Sequence, residues 1–361
     1  MTQIIGVIGA GQLAKMLGEA APDLDLNILA LANDADPCAK NTVELMVGDE
    51  MDRQVISDFA QHVDVLTFEH EQIKTEIFHD LNVPIYPNVA AVRIAQNRDL
   101  EKNFLKDLGI PVPPFFVVNS LAELETAVTK MDYPCVIKTI EGGYDGKGQK
   151  VLKQKTDLAS IWRELKEAIL TVEAWINFDR EVSLVAVRAV NGDILFYPLS
   201  ENLHRDGILR VSKAPYDDTK LQQLAEKYVT KILKKLDYVG VLTVEFFQCG
   251  EQLMANEMAP RVHNSGHWTI EGAQCSQFSN HLRAVSGKPL GSTKTKGYSA
   301  MINIIGQWPD KEKLKKLSWL HVHDYGKAAR IERKLGHLTI VAATAQERDQ
   351  KLQQVLDVLE L

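Results

Sequence analysis

The sequence is poor in cysteine and has no long apolar run. Its four cysteines, Cys38, Cys135, Cys249 and Cys275, are scattered, and no two of them form a C-x-x-C pair. This scatter disfavours a zinc site or a disulfide framework, so we expect free core thiols in a cytoplasmic protein. No stretch approaches the ~20 apolar residues of a membrane span. The N-terminal MTQIIGVIGAG lacks the basic region of a signal peptide, so no membrane partner is expected.

Basic residues are outnumbered by acidic ones. The formal net charge is −7, and no long basic stripe offsets it, which argues against nucleic acid as a partner. Apolar residues make up 45% of the chain and charged residues 25%, as is usual in globular proteins. The 361 residues are enough for two or three domains.

The glycine-rich stretch KTIEGGYDGKGQK (138–150) lacks the spacing of the two best-known phosphate loops. A P-loop would need glycine where Glu141 stands and serine or threonine where Gly148 stands. The protein-kinase loop reads G-x-G-x-x-G, whereas Gly143, Gly146 and Gly148 run as G-x-x-G-x-G. We therefore expect a phosphate-binding loop that belongs to neither scheme.

Strands and helices are predicted to alternate over the first 110 residues. The predicted strands are 3–9, 26–32, 63–68 and 83–85, and the predicted helices are 12–20, 51–61, 71–80 and 88–107. This alternation predicts a Rossmann-like parallel-sheet domain over residues 1–110, which GIPVPPF ends. A smaller unit is expected over 111–188 and a strand-rich unit over 189–361, with a helix at 272–286 and a short strand near 330. The fold class is α/β, and α+β overall.

The first predicted strand is followed by G-x-G-x-x-A at residues 9–14, with Asp34 at the end of the second strand. Helix N-terminal N–H groups and an acid at this distance are typical of a dinucleotide site. The same turn could hold a phosphate-bearing substrate or be only a tight connection, and Asp34 could be a turn residue.

Two carboxylates are predicted to face each other on a hairpin. VGVLTVEFF and QLMANEMA read as strands joined by a short turn, which places Glu245 opposite Glu257 or within one residue of it. Facing acids repel, and a bound cation removes that repulsion. Two hard oxygen ligands suit Mg²⁺, with Asn256 as a further oxygen donor. The alternative is a pair of edge strands with both acids in water.

The segment after this hairpin is dense in polar groups, which core packing does not require. Arg261 could stabilise charge developing on a transferring phosphoryl group. Asn264 and Ser265 follow within the same segment. His263 and His267 could each be satisfied surface histidines, and for His267 that interpretation is preferred.

Five basic side chains lie within eleven residues near the C-terminus: Lys327, Arg330, Arg333, Lys334 and His337. Guanidinium and ammonium groups bind phosphate, so the cluster favours a phosphate monoester site. A solvated turn would explain any one of these residues alone.

Together these motifs resemble the ATP-grasp enzymes, and among them the ATP-dependent carboxylases of purine biosynthesis that act on 5-aminoimidazole ribonucleotide. The resemblance runs over nearly the whole chain, through GVIGAGQLAKM, QNRDLEKNFL, VIKTIEGGYDGKGQ, EAWINFDREVS, NLHRDGIL, VEFF, NEMAPRVHNSGHWT and YGKAARIERKLGHL. One departure is Ile331-Glu332, where family members often carry Pro-Gly. The resemblance implies an ATP-grasp fold with a small central lid domain and a larger, mostly antiparallel C-terminal domain, which ends in a subdomain for the substrate phosphate.

The resemblance also implies roles for single residues. The ATP-binding set would be Arg98, Lys138, Gly143, Tyr144, Asp145, Gly146, Lys147, Gly148, Gln149, Glu173, Ala174, Trp175, Ile176, Glu181, His204, Asn256 and Glu257. The substrate-binding set would be Gln12, Leu13, Glu69, Asn264, Ser265, Lys327, Arg330, Arg333 and Lys334. The metal ligands would be Glu245 and Glu257, and the catalytic residues Arg261, His263, Asp145 and Tyr144.

The implied reaction uses ATP, bicarbonate and 5-aminoimidazole ribonucleotide, with Mg²⁺ or Mn²⁺ and without biotin or NAD, in a homodimer. Three rivals stay open: another ATP-grasp ligase such as a formate-dependent glycinamide ribonucleotide transformylase, an NAD-dependent dehydrogenase, and a catalytically inactive nucleotide-binding regulator. The dehydrogenase would leave Glu245, Glu257 and the glycine-rich loop unexplained.

Overall fold

Three β-sheets organise the chain. A computed structural model describes residues 2–34, 37–143, 146–154, 158–165 and 168–360. Within these ranges, one sheet lies in the N-terminal part, one in the middle and one large sheet in the C-terminal half.

The first sheet is parallel. Its strands are β1 (Gln3–Ile8), β2 (Leu26–Ala32), β3 (Glu44–Val47) and β4 (Val65–Phe68), in the order β3-β2-β1-β4. The helices of this region are α1 (Gln12–Ala20), α2 (Arg53–Ala60), α3 (Val89–Gln96) and α4 (Arg98–Asp107). Each strand pairing is parallel, which confirms the parallel sheet predicted from the alternation of strands and helices.

The predicted helix 71–80 is wrong. Only Thr75–Phe78 is helical, as a single 3₁₀ turn. The side chain of Gln96 donates to the carbonyl of Ile73 over 2.7 Å, so a group from another helix satisfies this backbone oxygen. A contact distant in sequence thus replaces the local helical bond.

The predicted helix 88–107 is two helices that meet at Asn97. This residue is extended, with φ −119° and ψ 115°, and its side-chain oxygen accepts from the N–H groups of Asp99 and Leu100 in the first turn of α4. Asparagine is a strong N-cap, so the break has a local cause. The predicted strand 83–85 is reduced to one bridge between Leu66 and Ile85.

The central sheet is antiparallel and small. Its strands are β5 (Phe115–Val118), β6 (Cys135–Thr139), β7 (Gln149–Leu152) and β8 (Leu170–Ala174), in the order β5-β8-β6-β7. The helices α5 (Leu121–Met131) and α6 (Leu158–Glu164) cover it. Its core includes Leu124, Ile137, Trp162 and Val172.

The large sheet is antiparallel. Its strands are β9 (Arg180–Arg188), β10 (Ile194–Phe196), β11 (Ser200–Arg205), β12 (Ile208–Ala214), β13 (Gly240–Cys249), β14 (Gln252–Ala259), β15 (Tyr298–Ile305), β16 (Leu320–Asp324) and β17 (Lys334–Ala342). Their order is β14-β13-β9-β11-β12-β15-β17-β16, and β10 pairs with β9. The helices of this half are α7 (Thr219–Lys235), α8 (Thr269–Gly272), α9 (Gln277–Val285), α10 (Lys311–Lys315) and α11 (Ala345–Leu359).

Three sequence-based expectations change in this half. The strand β9 lies within the unit expected at 111–188, yet it pairs with β13 and β11 of the large sheet. The predicted helix 272–286 is two short helices, α8 and α9. The strand expected near 330 is wrong, because residues 330–333 form a turn.

In the part of the chain that the structure describes, no helix combines the length and the apolar character needed to cross a membrane.

Candidate active site

The two hairpin carboxylates lie directly opposite each other. The register of β13 and β14 pairs Glu245 with Glu257, as the sequence predicted, and then shifts by one residue so that Asn256 is the extra residue of a bulge. The strand β14 is at the edge of the sheet and β13 is inside it. Accordingly the Glu257 side chain is 44% exposed and the Glu245 side chain 14%.

The pKa values of these two carboxylates are shifted in opposite directions. Burial and the neighbouring Glu257 raise the pKa of Glu245 to about 7, against the charge of His204. For Glu257, the loss of hydration among its neighbours is outweighed by the charges of Arg98 and Lys138, which hold its pKa below the usual range. Burial, together with the neighbouring charge of Glu257, therefore favours the neutral form of Glu245.

The residues present fit a hard divalent cation. Among the described residues, no group of three or more His, Cys, Asp or Glu could hold a metal by itself. Mg²⁺ does not need such a cage, because it keeps waters and shares phosphate oxygens. Glu245, Glu257 and the bulged Asn256 supply oxygen donors, and a cation between the acids would remove their repulsion.

Arg98 connects α4 with the central sheet and the carboxylates. It is the first residue of α4, and its Nε donates to the carbonyl of Thr139 over 3.2 Å. Its Nη1 lies 3.5 Å from Oε2 of Glu257. A Cβ at Gly143 would lie 3.2 Å from Nη2 of Arg98, so glycine lets the loop pass close to the guanidinium.

Lys138 reaches from β6 toward the hairpin. Its Nζ donates to Oε2 of Glu173 over 2.9 Å and to Oδ1 of Asn256 over 3.5 Å. Although burial opposes it, the charges of Lys138 and Lys102 lower the pKa of Glu173 to about 2. This carboxylate therefore stays charged and fixes the ammonium groups beside the nucleotide residues predicted from the sequence.

Sequence reasoning missed Lys102 and Glu101. The Lys102 side chain is fully buried, and its Nζ lies 3.3 Å from Glu173. The carboxylate of Glu101, also buried, accepts from the backbone N–H of Met258 over 2.6 Å, and burial raises its pKa to about 8. Lys102 stands four residues after Arg98, on the same helix face, and that spacing could have predicted it. No comparable sequence pattern points to Glu101.

The residues predicted to contact adenine lie where the chain leaves the central sheet. Glu173 and Ala174 end β8, and the N–H of Ala174 donates to the carbonyl of Pro114 over 2.9 Å. Trp175 is 41% exposed, and Ile176 is partly buried. The segment connects the central sheet with β9 of the large sheet.

Glu181 and His204 form a hydrogen-bonded pair on β9 and β11. Burial disfavours the imidazolium, but Glu181 and Glu245 raise the pKa of His204 to about 9. The structure thus brings both predicted residues together near the hairpin carboxylates, with a charged histidine between acids.

The glycine-rich loop rests on the turn between β11 and β12. Gly146 and Gly148 have φ +78° and +71°, where side chains are rarely found. A Cβ at Gly146 would lie 2.6 Å from the carbonyl oxygen of Asp206, and a Cβ at Gly207 would lie 2.6 Å from Cα of Gly146. Gln149 begins β7 beside this turn.

Two members of the predicted ATP-binding and catalytic sets, Tyr144 and Asp145, lie outside the described residues. Lys147, between the two loop glycines, is exposed.

Arg261 and His263 follow the hairpin and lie close to it. Nε of Arg261 lies 2.9 Å from the carboxylate of Glu71, an N-terminal residue that sequence reasoning missed. Nε2 of His263 lies 3.7 Å from Oε1 of Glu245, and its Nδ1 lies 2.9 Å from Oγ of Ser265. Burial, reinforced by Arg261, holds the pKa of His263 far below its usual value.

His267 is not a surface residue, so that preferred interpretation is wrong. It is 1% exposed, and its ring centroid lies 4.9 Å from that of His337. His337 is itself fully buried, and its Nδ1 is hydrogen-bonded to the hydroxyl of Tyr325 over 2.8 Å. Asn264 exchanges amide hydrogen bonds with Asn303.

The predicted substrate residues of the first domain meet the C-terminal basic segment. The Glu69 carboxylate accepts from the backbone N–H groups of Gly11 and Leu13, at the start of α1. The Gln12 side chain accepts from Nζ of Lys327. A dinucleotide pyrophosphate at this helix N-terminus would meet the Glu69 carboxylate, which argues against the dehydrogenase alternative.

The remaining basic residues line a turn. The N–H of Arg333 donates to the carbonyl of Arg330 over 3.0 Å, and Glu332 has φ 62°. Arg330 is exposed, and Lys334 begins β17, where its charge acts on Glu245 and His263. The turn geometry would suit the Pro-Gly that the family resemblance leads us to expect at Ile331-Glu332, because proline and glycine favour these two positions of a type II turn.

Three family models match successive parts of the chain. They are the ribonucleotide synthetase preATP-grasp domain (residues 1–96), the ATP-grasp domain (103–278) and the phosphoribosylaminoimidazole carboxylase C-terminal domain (299–351). Together with the small central sheet and the carboxylate hairpin, these three matches define an ATP-grasp enzyme, an ATP-dependent ligase.

Curated relatives and solved structures show which family of ATP-grasp enzymes the chain resembles. N5-carboxyaminoimidazole ribonucleotide synthase of Pseudomonas aeruginosa is 49% identical over 94% of each chain, and that of Vibrio cholerae is 40% identical over 98% of this chain and 95% of its own. The synthetase structure from Thermus thermophilus is 42% identical, with a TM-score of 0.92 over 98% of both chains. The chain belongs to the N5-carboxyaminoimidazole ribonucleotide synthase family.

Proposed function

We propose that the chain carboxylates 5-aminoimidazole ribonucleotide with bicarbonate and ATP, giving N5-carboxyaminoimidazole ribonucleotide, ADP and phosphate in purine biosynthesis. The observation that carries this proposal is the convergence of Arg98 and Lys138, from one side, on the hairpin residues Asn256 and Glu257. A related Aspergillus clavatus structure, 31% identical with a TM-score of 0.92 over 99% of both chains, is described as a complex with ADP and 5-aminoimidazole ribonucleotide.

The nucleotide phosphates would lie between the lid and the hairpin. Arg98 and Lys138 would bind them as cations, and the loop Gly142–Gln149 would cover them. Glu173 to Ile176 would contact adenine, and Glu181 and His204 would contact the ribose and phosphates. Mg²⁺, or Mn²⁺, held by Glu245 and Glu257 would neutralise phosphate charge.

Bicarbonate is a poor electrophile, so the reaction needs its activation. ATP would transfer its γ-phosphoryl group to a bicarbonate oxygen, forming carboxyphosphate and releasing ADP. The exocyclic amine would then form a C–N bond to the carboxyl carbon as the C–O bond to phosphate breaks and the amine loses a proton. Arg261 would stabilise charge on the transferring group, and His263 would orient the bicarbonate.

The substrate nucleotide would bind where the N- and C-terminal parts meet. Lys327, Arg330, Arg333 and Lys334 would hold its 5′-phosphate, by charge and by guanidinium forks. Gln12, Leu13 and Glu69 would lie beside its base and ribose. The hydrogen bond between Gln12 and Lys327 supports this placement, because it joins the two sets directly.

An ADP-release assay tests the proposal. We expect ADP release to require both 5-aminoimidazole ribonucleotide and bicarbonate, and to show no stimulation by glycinamide ribonucleotide with formate. Stimulation by the second pair alone would favour the transformylase alternative. ATP binding without turnover under either condition would favour the inactive regulator.

We also propose a cytoplasmic homodimer with no biotin. The support for the location is that all four cysteines are free thiols, as a reducing compartment favours. The dimer rests on the family resemblance, and sedimentation equilibrium at micromolar concentration tests it.

A further inference from the structure

A row of buried polar side chains runs from the middle of the large sheet to His263. Oγ of Ser212 lies 2.7 Å from Oδ1 of Asn202, and Nδ2 of Asn202 lies 2.9 Å from Oγ of Ser183. Oγ of Ser183 lies 2.8 Å from Oγ of Ser265, which lies 2.9 Å from Nδ1 of His263. The four residues behind the imidazole are at most 5% exposed. Buried polar groups of this kind need hydrogen-bond partners within the protein.

One backbone group sets the direction of this row. The N–H of Ser265 points to Nδ1 of His263 at 3.3 Å, and a backbone N–H can only donate. Nδ1 therefore accepts and carries no proton.

The direction then propagates from one hydroxyl to the next, because each has a single proton. The Ser265 hydroxyl donates to Nδ1, so its oxygen accepts from Ser183. The Ser183 oxygen in turn accepts from the amide of Asn202, whose carbonyl faces the Ser212 hydroxyl.

We propose that this row holds His263 with its single ring proton on Nε2, facing the carboxylate hairpin, and that Ser183 and Asn202 are positioning residues for it. Nε2 is the ring atom on the Glu245 side, 3.7 Å from Oε1. An N–H at this place donates to an oxygen of bicarbonate or carboxyphosphate. It cannot also accept the proton that the substrate amine loses.

This inference rests on the proposed function only for the identity of the oxygen that receives the hydrogen bond. The hydrogen-bond direction is a property of the protein without substrate. The tautomer can therefore be measured independently of turnover.

The direct test is long-range ¹H–¹⁵N correlation on protein labelled with ¹⁵N-histidine, without ligands. The His263 signals are assigned by their loss in His263→Gln. We expect a protonated Nε2 and an unprotonated Nδ1. A protonated Nδ1, or a mixture of the two tautomers, would overturn the proposal. This measurement needs no substitution in the row, so a variant that fails to fold does not remove the test.

The kinetic test compares two serines of equal burial. Ser183→Ala leaves the Ser265 oxygen without a donor and the Asn202 amide without an acceptor, whereas Ser212→Ala removes only a donor to the far side of Asn202. We expect Ser183→Ala to lower kcat about tenfold with little change in KM for ATP, and Ser212→Ala to change kcat about twofold or less. Equal losses in both variants would contradict a positioning role.

The two proposals can fail separately. If ADP release proves to depend on another acceptor while Nε2 carries the proton, the proposed function fails and the tautomer stands. If ADP release follows 5-aminoimidazole ribonucleotide but Nδ1 is protonated, the tautomer fails and the proposed function stands.

Discussion

The Glu257 carboxylate shows how one side chain depends on neighbours from several parts of the chain. It lies opposite Glu245 on the hairpin, and Arg98 from α4 approaches it to 3.5 Å. Without the guanidinium and a bound cation, two facing acids would repel. The Glu257 carboxylate is therefore suited to binding a cation rather than to stabilising the fold.

Replacing Glu257 by Gln should abolish Mg²⁺-dependent turnover while the fold stays intact, because the amide keeps the shape and loses the charge that binds the cation. ADP release measured against Mg²⁺ concentration, with circular dichroism for the fold, checks this. The control is Glu251→Gln, at the tip of the same hairpin, whose side chain is 81% exposed and which should keep full turnover. Full activity in Glu257→Gln would remove the metal assignment.

The pair of His204 and Glu181 should make stability depend on pH. The pKa of His204 is raised from 6.5 to about 9 in the folded protein, so its contribution is complete below about pH 6.5 and is lost as pH rises through about 9. Glu181→Gln removes the main partner. The Tm difference between wild type and Glu181→Gln should therefore be large near pH 6.5 and shrink toward about pH 10.

Thermal unfolding of ligand-free protein at several pH values measures this difference. A Tm difference that stays constant with pH would mean that His204 is not the titrating group. His204→Gln should show a weaker pH dependence than wild type over the same range.

At the scale of secondary-structure elements, the position of the glycine-rich loop depends on two glycines that lie against each other, Gly146 and Gly207. Gly207, in the turn between β11 and β12, has φ +74° and leaves no room for a Cβ beside Gly146. The polar strand β11 before this turn was missed by sequence reasoning, because SENLHR lacks the apolar alternation of a strand. Its Asn202 and His204 side chains serve the hydrogen-bonded networks of the site instead of the core.

We expect Gly207→Ala to push the loop away and raise KM for ATP about tenfold or more, since phosphate contacts depend on loop position. Gly287→Ala is the matched control, because Gly287 has φ +75° and no atom within 4 Å of an added Cβ. Both variants carry the same backbone strain, and only Gly207→Ala meets the loop. Similar KM values in the two variants would show that strain alone, and not the loop contact, matters.

Across the whole molecule, a buried histidine joins the first sheet to the large one. Nδ1 of His281 accepts from the N–H of Val241 over 3.1 Å, so its Nε2–H donates to the hydroxyl of Thr67 on β4 over 2.8 Å. Both side chains are buried. This bond connects regions that are more than 200 residues apart, so no local pattern predicts it.

Thr67→Val should lower the free energy of unfolding by about 1–3 kcal/mol, because it leaves the Nε2–H of His281 buried without an acceptor. Thr67→Ser, which keeps the hydroxyl, should lose less. Urea unfolding of the three proteins checks this order, and KM for ATP should stay unchanged in both variants. A Thr67→Val protein as stable as wild type would show that the bond contributes nothing.

The sequence by itself determined the parts of this protein whose causes are local. Residues Gln12–Ala20 and Leu26–Ala32 form elements with the predicted bounds, because their apolar periodicity is clear. That Glu245 and Glu257 lie opposite each other or within one residue was also predictable, since a short turn limits the hairpin register. The bulge at Asn256 then makes the pairing direct. The roles of the other site residues came from family motifs and stay predictions.

Only the tertiary structure decided which side chains from distant segments meet. Lys102 and Lys138 share Glu173, and Arg261 meets Glu71. The serines behind His263 come from β9, from β12 and from the 3₁₀ turn Asn264–Gly266. Burial then shifts the pKa of these groups, because desolvation and neighbouring charges act through space and not along the chain. The sequence therefore predicts which residues carry the chemistry, and the packing of three sheets sets the protonation and the partners of these residues.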